Sequence, residues 1–108
     1  MSQTLEQIQV LAQNGKILVS AHGYDELAAD GIFFSEVLDG LATAEVVEDY
    51  PDAAKGPSVL VLQTDDSGRP IHVVWGVPKG KREPGVLITA YRPDPARWSA
   101  DFRKRKTT

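Results

Sequence analysis

The sequence predicts an α+β fold, with N-terminal helices packed on one face of a four-strand antiparallel sheet. Three observations predict it. Apolar residues recur at helical spacing only within residues 1–40. After that the period changes to four short runs rich in Val, Ile and Leu: "AEVVEDY", "SVLVLQT", "PIHVVWGV" and "GVLITAY". Turn residues separate these runs, and "DDSG" at 65–68 is short enough to join antiparallel neighbours.

The first helix is expected over residues 4–13, where Leu5, Ile8 and Leu11 share a face. Thr4 and Gln7 form a possible capping box, and Asn14-Gly15 supplies the stop. "KILVS" then runs extended into Ser20, the expected N-cap of a helix over residues 21–29 that ends at Gly31. A further short helix is expected to follow Ser35 and to stop near Gly40. In the sheet, Thr64 is expected to oppose Arg69, which sets Val73 against Leu60. From the next turn, Val77 opposes Val86, Trp75 meets Ile88, Val73 meets Ala90 and His72 meets Tyr91. The expected core face is then Leu60, Leu62, Ile71, Val73, Trp75, Val77, Val86, Ile88 and Ala90. Val59, Val61, His72, Val74, Leu87, Thr89 and Tyr91 make a mixed second face. A slip of one residue would exchange the two faces.

Composition is that of an ordinary globular chain, with 42% apolar and 25% charged residues among 108. Residues 1–102 are expected to form one domain and residues 103–108 a basic tail. With no cysteine, disulfide and thiolate chemistry are excluded. No apolar stretch reaches membrane-span length and the first residues lack a signal pattern, so the expected location is cytoplasmic, away from membranes. Charge is unevenly spread: residues 1–91 hold 6 Lys/Arg against 13 Asp/Glu, a net of −7. Residues 92–108 hold 6 Lys/Arg against 2 Asp, a net of +4. Such an end suits a polyanion, or else simply a solvated tail.

His22 and Glu26 lie four apart on one helix face, with Asp25 alongside, a spacing that lets a carboxylate orient an imidazole for proton transfer. The plainer alternative is that the acids favour the helix dipole and His22 bonds to nearby backbone. One His and one Glu fall short of a metal site, and no phosphate loop or nucleotide fingerprint is present, so neither metal nor cofactor is expected. His72 and Tyr91 form a second candidate pair, able to donate to an oxyanion or phosphate, or to make a cross-strand aromatic contact. In "ITAYRPDPARWSADFRKRK", Pro93 and Pro95 must end the last strand. Trp98 is placed to fold back over the core, leaving Arg103, Lys104, Arg105 and Lys106 projecting into solvent.

These residues give the chain a resemblance to the domain-of-unknown-function 4258 family. The anchors are Ser20, His22, Gly31 and Ile32; the strand Pro70-Ile71-His72-Val73-Val74; and the ending Thr89, Tyr91, Pro93, Asp94, Pro95 and Trp98 with its basic tail. The resemblance implies a RelE-like or BrnT-like toxin fold, whose relatives often cut RNA without a metal through basic, His and Tyr side chains on the open sheet face. On that reading His22, His72 and Tyr91 would move protons or hydrogen-bond, and Arg92 would hold phosphate, with Arg103, Lys104, Arg105 and Lys106 adding RNA contacts. The partners implied are RNA or a ribosome, and an antitoxin-like protein. This chain departs from the family in carrying Glu26 and Asp30 where relatives often place Arg. Acids beside the proposed base oppose phosphate binding. The alternative function is a non-catalytic module that binds a protein partner or a copy of itself.

Overall fold

The computed structural model describes residues 2–106. Three helices, α1 (Gln3–Gln13), α2 (Ala21–Ala29) and α3 (Phe34–Gly40), accompany five strands. The strands are β1 (Ile17–Val19), β2 (Glu45–Tyr50), β3 (Ser58–Thr64), β4 (Pro70–Gly76) and β5 (Gly85–Tyr91). The sheet order is β1-β5-β4-β3-β2. The fold class is α+β as expected, but the sheet has five strands and is mixed, not four-stranded and antiparallel. "KILVS" was expected to be extended; its Ile17–Val19 pairs parallel with β5, Ile17 against Gly85 and Val19 against Leu87. Without it β5 would be an open edge.

Serines cap the first two helices, while α3 starts from Phe33 without a side-chain cap. Ser2, rather than Thr4, caps α1 by accepting from the Leu5 N–H at 3.1 Å. Ser20 caps α2 as expected: its Oγ accepts from the Gly23 N–H at 2.9 Å and donates to the Ile88 carbonyl at 2.9 Å, tying the helix start to β5. Gly23 has to be small, because a Cβ there would stand 2.8 Å from a methyl and the carbonyl of Leu87.

The β3–β4 register is one residue away from expectation, and turn chemistry is the cause. Thr64 pairs with Pro70 and Val61 with Val73. Asp65 closes a three-residue loop: its N–H donates to the Arg69 carbonyl at 3.0 Å, and Gly68 takes φ +79°. The Asp65 carboxylate accepts the N–H groups of Ser67 and Arg69, each at 2.9 Å. Consequently Val59, Val61 and Gln63 join Ile71, Val73 and Trp75 on the helix face, while Leu60 and Leu62 turn to the other. Between β4 and β5 the expected pairs His72–Tyr91 and Val73–Ala90 hold. A bulge then sets Trp75 against Leu87 rather than Ile88, and Gly76 rather than Val77 against Val86. Leu87 is fully buried and Ile88 is exposed.

Leu5, Ile8 and Leu11 of α1, Leu27 of α2, and Ile32, Val37 and Leu41 cover this helix face. Trp75 is fully buried, and its Nε1–H donates to Gln63 Oε1 at 3.0 Å. The Gln63 amide in turn donates to the Val37 carbonyl at 2.8 Å, so the polar atoms inside the core are satisfied. No described helix is long and apolar enough to cross a membrane.

Candidate functional site: a clasped histidine on the open sheet face

On the face away from the helices, the chain after β5 folds back over one end of the sheet. Pro93 and Pro95 stop the strand, and the Asp94 carboxylate accepts the Ala96 N–H at 2.8 Å, turning the chain inward. Trp98 and Arg105 form an antiparallel bridge, closed by Lys106 N–H donating to the Arg97 carbonyl at 2.9 Å. Ser99 N–H donates to the Lys104 carbonyl at 2.7 Å within this clasp. At its tip Phe102 takes φ +60°, a left-handed conformation costing a non-glycine residue on the order of 1 kcal/mol. That turn aims the Phe102 carbonyl at His72.

His72 is fully buried by the clasp. Its Nε2 stands 2.8 Å from the Phe102 carbonyl, which can only accept, so Nε2 carries the proton. Nδ1 is then the acceptor for the Tyr91 hydroxyl at 3.2 Å. Trp98 presents its ring edge-on at 4.4 Å between centroids, and Tyr91 does the same at 5.3 Å. Burial pushes the His72 pKa down, opposed by the Phe102 hydrogen bond and assisted by the nearby Arg105 charge. Burial likewise pushes the Tyr91 pKa up. The neutral imidazole therefore has both nitrogens occupied within the protein.

The expected tail cations do not project as a group. Arg105 lies 4.7 Å above the Trp98 ring and forks onto Glu48, Nε to Oε2 at 2.7 Å and Nη2 to Oε1 at 3.0 Å. This hydrogen bond holds the Glu48 carboxyl below its ordinary pKa and raises that of Arg105. Tyr50 also donates its hydroxyl to Glu48. Arg103 Nε donates to Glu45 at 2.7 Å. The acidic edge strand β2 thus takes up two of the four cations, an attraction that a linear reading of separate charge blocks missed. Lys104 and Lys106 are exposed. Residues 107–108 of the expected tail lie outside the described residues.

Arg92 sits beside this site but is also engaged. Its Nη2 pairs with the buried Asp65 carboxylate at 2.9 Å and its Nη1 donates to the Pro70 carbonyl at 3.3 Å. Its backbone N–H donates to Asp30 at 2.9 Å, which gives Asp30 a structural task at the end of α2. Asp65 is held below the ordinary carboxylate range, first by the Arg69 N–H and then, against burial, by Arg92.

His72, Tyr91, Arg92 and Arg105 are thus brought together. His22 is not. It lies on α2, on the helix side of the sheet, with its side chain 67% exposed and 3.7 Å from Glu26. Among the described residues no group of three His, Asp or Glu side chains lies close enough to hold a metal ion. One residue that sequence reasoning passed over belongs to the site. Arg97 joins Tyr91, Arg92, Asp94, Trp98 and Arg105 around a cleft of about 340 Å³. Among the described residues it has no carboxylate partner. The Asp94-Pro95 turn signal three residues before it was the available pointer.

Helices on one face and a strapped histidine on the other define an α+β domain with a closed polar end. The chain belongs to the family described as Domain of unknown function (DUF4258), whose model matches residues 19–92. The match takes in His22, His72, Tyr91 and Arg92 and stops before the clasp. No curated protein and no solved structure matches the chain.

Proposed function

We propose that this protein binds RNA, free or ribosomal, through its phosphate backbone at the Tyr91–Arg92–Arg97–Arg105 cleft, and does so without cutting it. The observation carrying this reading is the cleft itself. Two guanidiniums, Arg92 and Arg105, are held rigid by Asp65 and Glu48, and Arg97 has no ion-pair partner among the described residues. Lys104 and Lys106, the chain neighbours of Arg105, are exposed. Cutting without a metal, as RelE-like toxins do, would need an acid–base pair facing the phosphate. While the clasp is closed His72 has no free ring nitrogen, and His22 stands on the other side of the sheet.

The test is titration of fluorescent single-stranded RNA, in chelator, at several salt concentrations. Three cations without an ion-pair partner among the described residues (Arg97, Lys104 and Lys106) give an expected log-log salt slope of about −2, from roughly −0.7 per contact. Arg97→Ala should weaken binding and flatten the slope by about 0.7. Absence of binding, or a slope untouched by Arg97→Ala, would remove the proposal, and cleavage products would remove its non-catalytic part.

A second reading, the interaction module for an antitoxin-like protein or a second copy, is favoured by the other end of the same sheet face. There Val74, Val86, Ile88 and Pro78 line an apolar groove of about 530 Å³, with Leu18 of β1 next in line.

A further inference from the structure

The geometry points to the free edge of β1 as the place where a second copy of this chain adds its own β1, antiparallel, to make one continuous ten-strand sheet. This deepens the self-association reading and is independent of the RNA reading, since no cleft residue takes part.

Three observations lead to it. First, β1 ends the sheet, and its hydrogen bonds to β5 alternate. The Lys16 carbonyl accepts from Gly85 at 2.9 Å and the Ser20 N–H donates to Leu87 at 3.0 Å. In a parallel ladder the residues that bond one neighbour alternate, so residues 16, 18 and 20 face β5 while Ile17 and Val19 point their N–H and C=O groups outward. No described residue takes up those four groups.

Second, the outward set is symmetric about Leu18. With a two-fold axis through Leu18, Ile17 of one copy opposes Val19 of the other. Each such pair exchanges two N–H···O bonds, four in all. The two Leu18 residues then form the close, non-hydrogen-bonded pair between them. The Leu18 side chain is 60% exposed and stands beside Val86 on the open sheet face, so the pairing extends the apolar strip across both copies.

Third, the charges at the two ends of β1 are opposite. Lys16 leads into the strand and binds Glu83 at 2.8 Å, which brings the exposed Lys81 and Arg82 to that end. Past the other end, the middle of α2 carries Asp25 and Glu26. Antiparallel pairing sets the basic end of one copy against the acidic end of the other, twice; a parallel arrangement would set like against like.

Sedimentation equilibrium of the full chain over a wide concentration range reads the result. The wild type should pass from monomer to dimer as concentration rises, with association weakened by salt. Val19→Pro removes an outward N–H while sparing every bond to β5, and Leu18→Lys places two ammonium groups on the axis; each should weaken dimerisation at least tenfold with the circular dichroism spectrum unchanged. Glu26→Lys should weaken it too, and adding Arg82→Glu should restore it. A wild type that stays monomeric throughout, a dimer indifferent to Leu18→Lys and Val19→Pro, or assemblies larger than two would overturn the proposal.

Discussion

The open face of the sheet has two ends built on different terms. At one end His72, Tyr91, Trp98 and Arg105 interlock beneath the C-terminal clasp. At the other Leu18 and Ile88 stand exposed beside an uncovered groove. The difference follows from the residues the strands place there. A buried imidazole must have its hydrogen bonds satisfied or lose stability, and Tyr91 and the Phe102 carbonyl meet that need. Among the described residues the apolar end buries no side-chain polar group, since its Lys55 and Ser58 both keep access to water, so nothing within the chain is required to cover it. A cover built for hydrogen bonding belongs to the fold, whereas a bare apolar surface beside a free strand edge is available to a partner.

This contrast breaks most visibly by substitution. Trp98→Ala should cost about 3–5 kcal/mol, because the ring is buried between His72 and Arg105. A denaturation midpoint close to that of the wild type would show that the clasp is no part of the cooperative unit. Acid should act on the clasped end next. The folded His72 pKa lies below its ordinary value of 6.5, so the unfolded chain takes up the proton first. The stability contributed by the neutral ring is therefore complete above about pH 7 and falls as pH drops from there toward the folded pKa. Glu48 and Asp65 are depressed as carboxylates, and their contribution is lost only further down, below about pH 4.5. Thermal melts across pH should show the upper of these two declines in the wild type and not in His72→Gln. The smallest effect belongs to the bare end: Leu18→Ser should change monomer stability by no more than about 0.5 kcal/mol. A large loss there would mean that Leu18 packs within its own chain.

Much of the layout was legible because it rests on local signals. Ser20 as a cap, the stop at Gly31, the four main strands and the His72–Tyr91 pair all follow from residues a few positions apart or from a single turn. What escaped depended on chemistry that period alone does not carry. Asp65 binding two N–H groups in its own turn moved β3 by one residue and exchanged Val59 and Val61 for Leu60 and Leu62 in the core. The fifth strand needed β5 to be recognised as an open edge. In the candidate site, the pairing of His72 with Tyr91 was readable. The closing of both His72 nitrogens was not, because Phe102 contributes a backbone carbonyl and leaves no mark in residue type. The uptake of Arg103 and Arg105 by Glu45 and Glu48 joins residues more than fifty positions apart.

The state of the His72 ring decides most directly whether the clasp is a closed structural cover. Nitrogen-detected NMR of the imidazole as pH is lowered reports both tautomer and titration. A closed clasp gives a neutral ring protonated on Nε2, with Nδ1 accepting from Tyr91, titrating below 6.5. A ring that exchanges freely between tautomers and titrates at or above 6.5 would contradict it, and would return His72 to the solvent-facing acid–base role.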